Sequence, residues 1–126
     1  MSNRIFLALF LSLTFLGCIE NEKTCTAPAL EENIVGSWSA TMLSGSDGLN
    51  TVAFNKDKSF KESSGLFFGN YDSTEISWKV KGDSLTLVGV YNKSGPAIYG
   101  FTLITNTCNE ITLNMEGLDT LKLVRR

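Results

Sequence analysis

No histidine occurs anywhere in the 126 residues. Its absence excludes Ser-His-Asp triads, imidazole proton shuttles and His-containing metal sites. Basic residues are not in excess either: 11 Lys and Arg face 13 Asp and Glu, a net charge of −2. Such a chain lacks the basic face that nucleic acid demands, so no nucleic-acid partner is expected. Charged residues make up only 19% and apolar ones 43%, a balance that excludes a disordered polymer and suits one packed core. Beyond residue 34, no stretch of ten residues repeats its apolar positions with a helical period. Helical bundles are thereby excluded.

The one long apolar run is at the beginning. Residues 5–16 (IFLALFLSLTFL) follow a short polar start carrying Arg4. As a helix these twelve residues span about 18 Å, short of the ~30 Å hydrocarbon core, so residues 1–17 read as a cleaved signal peptide. With Arg4 gone, the remaining 109 residues carry a net charge of −3 and suffice for one core. Phe15-Leu16-Gly17-Cys18 resembles the bacterial lipobox, with Phe15 where Leu is usual. The resemblance implies acylation of Cys18, with palmitate-type chains anchoring the protein to a membrane. Several chains on one cysteine hold stably, because each buried methylene contributes about 0.8 kcal/mol. Ile19 replaces the aspartate that retains enteric lipoproteins at the inner membrane. Glu20-Asn21-Glu22 is similar to the acidic stretch that Bacteroidetes lipoproteins use for surface display. The expected location is therefore the cell envelope of a Gram-negative bacterium, at the outer membrane, facing either the periplasm or the surface.

Three cysteines are an odd number for an exported chain. With Cys18 lipidated, Cys25 and Cys108 remain as a candidate disulfide, the alternative being two free thiols. Bridging an 83-residue separation stabilises by about 4 kcal/mol in the chain-entropy picture. Two cysteines without histidine make a poor zinc site, so neither metal nor cofactor is expected.

Residues 18–33 read as a polar tether with a short helical turn at 29–33, and 34–126 as a single domain. Eight runs rich in Val, Ile, Thr, Phe, Tyr and Trp occupy 35–43, 50–55, 59–63, 74–81, 84–91, 97–105, 110–115 and 118–125. Turn-forming clusters separate them, the mark of an all-β chain. Alternation places Ile76, Trp78 and Val80 on one face and Ser77, Lys79 and Lys81 on the other. Short connections imply an eight-stranded antiparallel up-and-down meander. Closing it into a barrel removes both open edges; a two-sheet sandwich is the competing architecture.

Gly36-Ser37-Trp38 at the start of the first strand resembles the Gly-x-Trp motif of the lipocalins. Phe54-Asn-Lys-Asp-Lys-Ser-Phe60 and Ile76-Ser-Trp78 resemble the next landmarks of small lipocalin-like lipoproteins of Bacteroidetes. The resemblance covers residues 33–126. It implies that Trp38 closes the barrel floor and that a late arginine packs across it. Arg125 shares the parity of Leu121 and Leu123, and the eighth strand must end where the first begins, so Arg125 is the candidate. The same counting puts Cys108 and Cys25 at the floor, and the mouth away from the membrane.

The mouth connection at 64–73 carries Leu66, Phe67, Phe68 and Tyr71. Two readings stay open: a lid or apolar contact surface, or Leu66 and Phe67 extending a neighbouring strand and plugging the core. Tyr91 and Tyr99 read as a cross-strand pair on the fifth and sixth strands. Asp47, Asp57, Asp72, Asp83, Glu110 and Glu116 fall at expected turns, and no catalytic set emerges; the protein is not expected to be an enzyme. By resemblance, the leading function is a monomeric, lipid-anchored module that binds a small apolar ligand. Its candidate contacts are Met42, Phe54, Leu66, Phe67, Phe68, Trp78, Leu87 and Met115. The alternative is an envelope interaction protein with a solid barrel, touching another protein through its mouth loops.

Overall fold

The computed structural model describes residues 24–45, 50–69, 76–91 and 94–126. The signal segment and Cys18 lie outside these residues. A single helical turn, α1 (Leu30–Asn33), precedes eight strands. They are β1 (Gly36–Met42), β2 (Asn50–Phe54), β3 (Phe60–Glu62), β4 (Ser77–Lys81), β5 (Ser84–Val90), β6 (Pro96–Asn106), β7 (Glu110–Met115) and β8 (Asp119–Arg125). All neighbouring pairs are antiparallel, in the sheet order β3-β2-β1-β8-β7-β6-β5-β4. The first and last strands therefore pair in mid-sheet, with Trp38 opposite Arg125 and Met42 opposite Leu121. The outer strands β3 and β4 meet at one bridge, Ser59 with Ser77, flanked by Phe60 N–H to Ile76 O (3.1 Å) and Trp78 N–H to Lys58 O (2.9 Å). One sheet thus curls into a nearly closed barrel rather than splitting into a sandwich.

Burial follows the alternation. Trp38 and Ala40 on β1, Val52 and Phe54 on β2, Leu85 and Leu87 on β5, Ile111 and Leu113 on β7, and Leu121 and Leu123 on β8 are all buried. Their strand neighbours face outward, as expected of a sheet with one wet face. The sequence overreaches at some boundaries. β3 is three residues long where five are expected: Ser63 N–H still reaches Thr51 O, but Thr51 N–H bonds the Ser63 hydroxyl oxygen, which ends the ladder there. β6 is longer than expected, and its pairing with β7 slips between Leu103 and Thr105. That irregularity reverses the parity past Ile104, turning Thr105 outward and setting Asn106 opposite the buried Ile111, a change that no turn residue announces. Tyr99 stands opposite Leu87 rather than Tyr91, since the β5–β6 turn is tight enough to pair Val90 with Pro96. The expected tyrosine pair is therefore not formed.

The floor is where the chain's distant parts are tied. The Arg125 guanidinium lies 4.1 Å from the centroid of the Trp38 ring. Its Nε donates to Cys108 O (2.9 Å), Nη2 to Asn33 O (2.8 Å) and Asn33 Oδ1 (2.9 Å), and Nη1 reaches Val35 O at 3.5 Å. Arginine suits this place because its planar fork spreads five donors over three nitrogens and so reaches acceptors on separate segments, whereas lysine's three donors share one nitrogen. Gly36 makes room for it: the residue has φ +134°, and a Cβ there would stand 3.2 Å from Arg125 Nη1. Trp38 Nε1 donates to Ile34 O (2.7 Å), while Asn33 Nδ2 donates to Asn106 Oδ1 (2.6 Å) and Thr107 O (2.8 Å). Beside this network, Cys25 and Cys108 sit at disulfide distance, with Cα atoms 6.2 Å apart.

Arg125→Ala should therefore cost about 2–3 kcal/mol in urea unfolding, since it removes a charged donor and leaves several carbonyls short of a partner. Arg125→Lys should recover only a minor part of the loss.

Candidate functional site

Above the floor, the interior is a stack of rings. Phe54 meets Phe60 (centroids 5.0 Å) and Trp78 (5.8 Å) edge-to-face. Trp78 is fixed from both sides: its Nε1 donates to Asn55 O (3.0 Å), and Lys58 Nζ lies 4.0 Å from the ring centroid while paired with Glu31 at 2.7 Å. Both members of that ion pair are largely exposed, so it adds little to stability.

The mouth half is filled by the β3–β4 connection. Phe67 and Phe68 are 3% and 0% exposed, so the segment plugs the core, but from a turn and not as the expected extension of a neighbouring strand. Phe67 packs on Tyr99 (5.6 Å) and Phe101 (5.7 Å), and Phe68 on Tyr99 (5.4 Å) and Phe60 (6.3 Å). A tight turn presents them, closed by Gly69 N–H to Gly65 O at 3.1 Å. Gly65 has φ +69°, and a Cβ there would fall 2.4 Å from the Gly69 backbone, so only glycine permits the turn. Opposite, β5 contributes Gly89, where a Cβ would stand 2.7 Å from Phe68 Cε1.

Polar groups clasp the plug's main chain. Both Glu62 carboxylate oxygens accept, one from Phe67 N–H and one from Phe68 N–H, each at 2.8 Å. The Tyr99 hydroxyl donates to Phe67 O at 2.6 Å. Burial pushes the Glu62 carboxyl above its ordinary range, and the two N–H donors draw it back only in part. Burial, helped by the nearby Tyr91 and Glu62, also raises the Tyr99 phenol, which keeps its proton for the bond it makes.

The expected ligand contacts divide accordingly. Phe54, Phe67, Phe68, Trp78 and Leu87 are buried and touch the core rather than a pocket; Met42, Leu66 and Met115 are half-buried and pack against it. Gly36, Trp38 and Arg125 come together at the floor, as do Cys25 and Cys108, while Cys18 is outside the described residues. A shallow open depression of about 220 Å³ lies over β2 and β3, lined by Thr51, Val52, Ala53, Lys61, Glu62 and Ser63. Among the described residues no cluster could hold a metal, and no buried side-chain polar atom lacks a partner.

At the mouth rim, Leu43 and Leu118 are 75% and 76% exposed. Leu43 N–H donates to Thr120 O (3.0 Å), which sets it two positions from Leu118 across the β1–β8 seam. Ser44 closes this corner by donating its N–H (3.1 Å) and its hydroxyl to Asp119. On the outer wall, Val88 and Ile98 form a second exposed apolar pair, opposed in the β5–β6 register.

Of the residues around the plug, the sequence reading passes over Glu62 and Gly89 and gives Tyr99 a different partner, Tyr91. Two of them leave a trace. Glu62 carries a charge at the inward parity of Phe60, and Gly89 interrupts a strand at the inward parity of Leu87, the mark of a close approach.

Because folding raises the Glu62 pKa, the native chain holds that proton more tightly than the unfolded one. The resulting stabilisation is complete below the unfolded value, near 4.5, and is lost as pH rises through the folded value. Glu62→Gln cannot titrate, so wild type should lose stability relative to this variant as pH rises above the unfolded carboxyl value, followed by denaturant unfolding at each pH. No protein-family model matches the chain, and neither a curated protein nor a solved structure is significantly similar to it.

Proposed function

We propose that the chain is a lipid-anchored protein of the Gram-negative envelope whose solid barrel displays its mouth rim to a protein partner. The observation that carries this reading is the contrast between a ring-filled interior and a rim that leaves Leu43 and Leu118 in water. Two exposed leucines close to each other across the β1–β8 seam mark a contact site more readily than a fold requirement. The acyl anchor on Cys18 follows from the lipobox resemblance, and it gives the barrel an orientation. Cys25 lies seven positions after Cys18, a reach of roughly 25 Å even when fully extended. Bonding of Cys25 to Cys108 then holds the floor toward the membrane and turns the rim outward. Membership of the lipocalin-like lipoproteins is part of the same proposal, resting on Gly36, Trp38 and Arg125.

A second reading, binding of a small apolar ligand, is favoured by one observation: the rings that fill the mouth half belong to a connection and not to the wall.

Cys18→Ser should shift the expressed chain from the membrane pellet to the soluble fraction and remove an acyl-sized mass increment. In intact cells, a photoreactive side chain at position 118 should give a discrete protein adduct, whereas the same group at position 79, on the outer wall, should not. Native mass spectrometry of the released domain should show the bare chain. A co-purifying adduct of lipid size, together with no crosslink at 118, would transfer the assignment to the ligand reading.

A further inference from the structure

The geometry points to the mouth-side chamber being a binding site for a peptide segment with two adjacent aromatic side chains, which residues 65–69 occupy in cis. The inference rests on the ligand reading of the barrel and names the ligand's class.

Three features of the chamber carry it. Its walls are shaped for two rings that the strands do not supply. Phe60, Tyr99 and Phe101 offer edges and faces, and Gly89 omits a side chain where Phe68 lies. Its polar groups read a main chain. Glu62 accepts from two consecutive N–H groups, and the Tyr99 hydroxyl donates to the carbonyl of the first residue, a pattern any peptide can present. A core that merely needed filling would be better served by an apolar side chain at position 62, since a half-buried carboxylate is costly to desolvate. Among the described residues, Glu62 has no Lys or Arg partner; its hydrogen bonds are with the segment's two N–H groups.

The occupant is also separable from the barrel. The turn closes on itself through Gly69 N–H and Gly65 O. Lifting Phe67 and Phe68 out breaks the three bonds to Glu62 and Tyr99 and leaves every strand-to-strand bond intact. A peptide of matching chemistry restores what the plug gives up. It competes, however, with a tethered segment present at an effective concentration in the millimolar range, so binding to the wild-type chain is weak by design.

The probe is acetyl-Phe-Phe-amide, titrated into the purified chain and followed by NMR. Saturable shifts of the Gly89 and Tyr99 amides are expected, with faster hydrogen exchange at Phe67 and Phe68 as the plug is displaced. The double variant Phe67→Ala/Phe68→Ala should bind the probe at least about tenfold more tightly, because the competitor is gone. Glu62→Gln should weaken binding in either background, and Gly89→Leu should abolish it. Absence of saturable shifts in wild type and double variant overturns the inference. So does binding that is indifferent to Glu62→Gln and equalled by toluene, which would describe a plain apolar hole. A lipid adduct in the native mass spectrum with no peptide binding would sink this inference alone and leave the ligand reading standing.

Discussion

A sheet of eight strands has two raw edges, and pairing β1 with β8 in mid-sheet is what brings this chain's edges round to face each other. Five register pairs make that seam, from Trp38–Arg125 at the floor to Met42–Leu121 near the mouth. The seam alone would be a ladder like any other. Arg125 turns it into a closure, since one guanidinium covers the indole of β1 while holding carbonyls of the α1 turn, the β1 entry and the β6–β7 connection. Every other feature depends on that ring being shut: the inward parity of the leucines, the stack of aromatic side chains, and the apposition of two cysteines 83 residues apart.

Much of this was legible because it follows from period and parity. Eight alternating runs separated by turn clusters are all that a meander requires, and the direction of each strand follows from counting. The lipocalin resemblance supplies the idea of an arginine across Trp38, and counting puts Arg125, Cys25 and Cys108 at that same end. Parity fails where the backbone stops being regular. The slip past Ile104 turns Thr105 outward and Asn106 inward, and the tight β5–β6 turn seats Tyr99 against Leu87. Connections obey no period at all, so the direction of Phe67 and Phe68 could not be read from residues 64–73. What decides it is a long-range fit, with Gly89 opening space and Glu62 and Tyr99 offering bonds.

The interior has an uneven character as a result. Around the floor, polar atoms are matched within a dense network in which Asn33, Asn106 and Arg125 each serve more than one partner. Around the mouth, a half-buried carboxylate faces rings and two amide protons, in a place where it is held at some cost. Local stability is rarely uniform, and regions reserved for recognition are drawn from its weaker end. Both proposed contacts, the rim and the chamber, lie at that end of the molecule.

The seam has one more consequence, in the order of events. Asn33 and Arg125, which meet at the floor, are 92 positions apart in the chain. Contacts at such separation are slow to form, because the intervening loop must be closed before they return anything. Until residue 125 has been synthesised, β1 has only β2 to pair with, and the barrel remains an open ribbon. For a polypeptide proposed to be threaded through a translocation pore, that delay is useful: the last strand acts as a timer that postpones compaction until passage is complete.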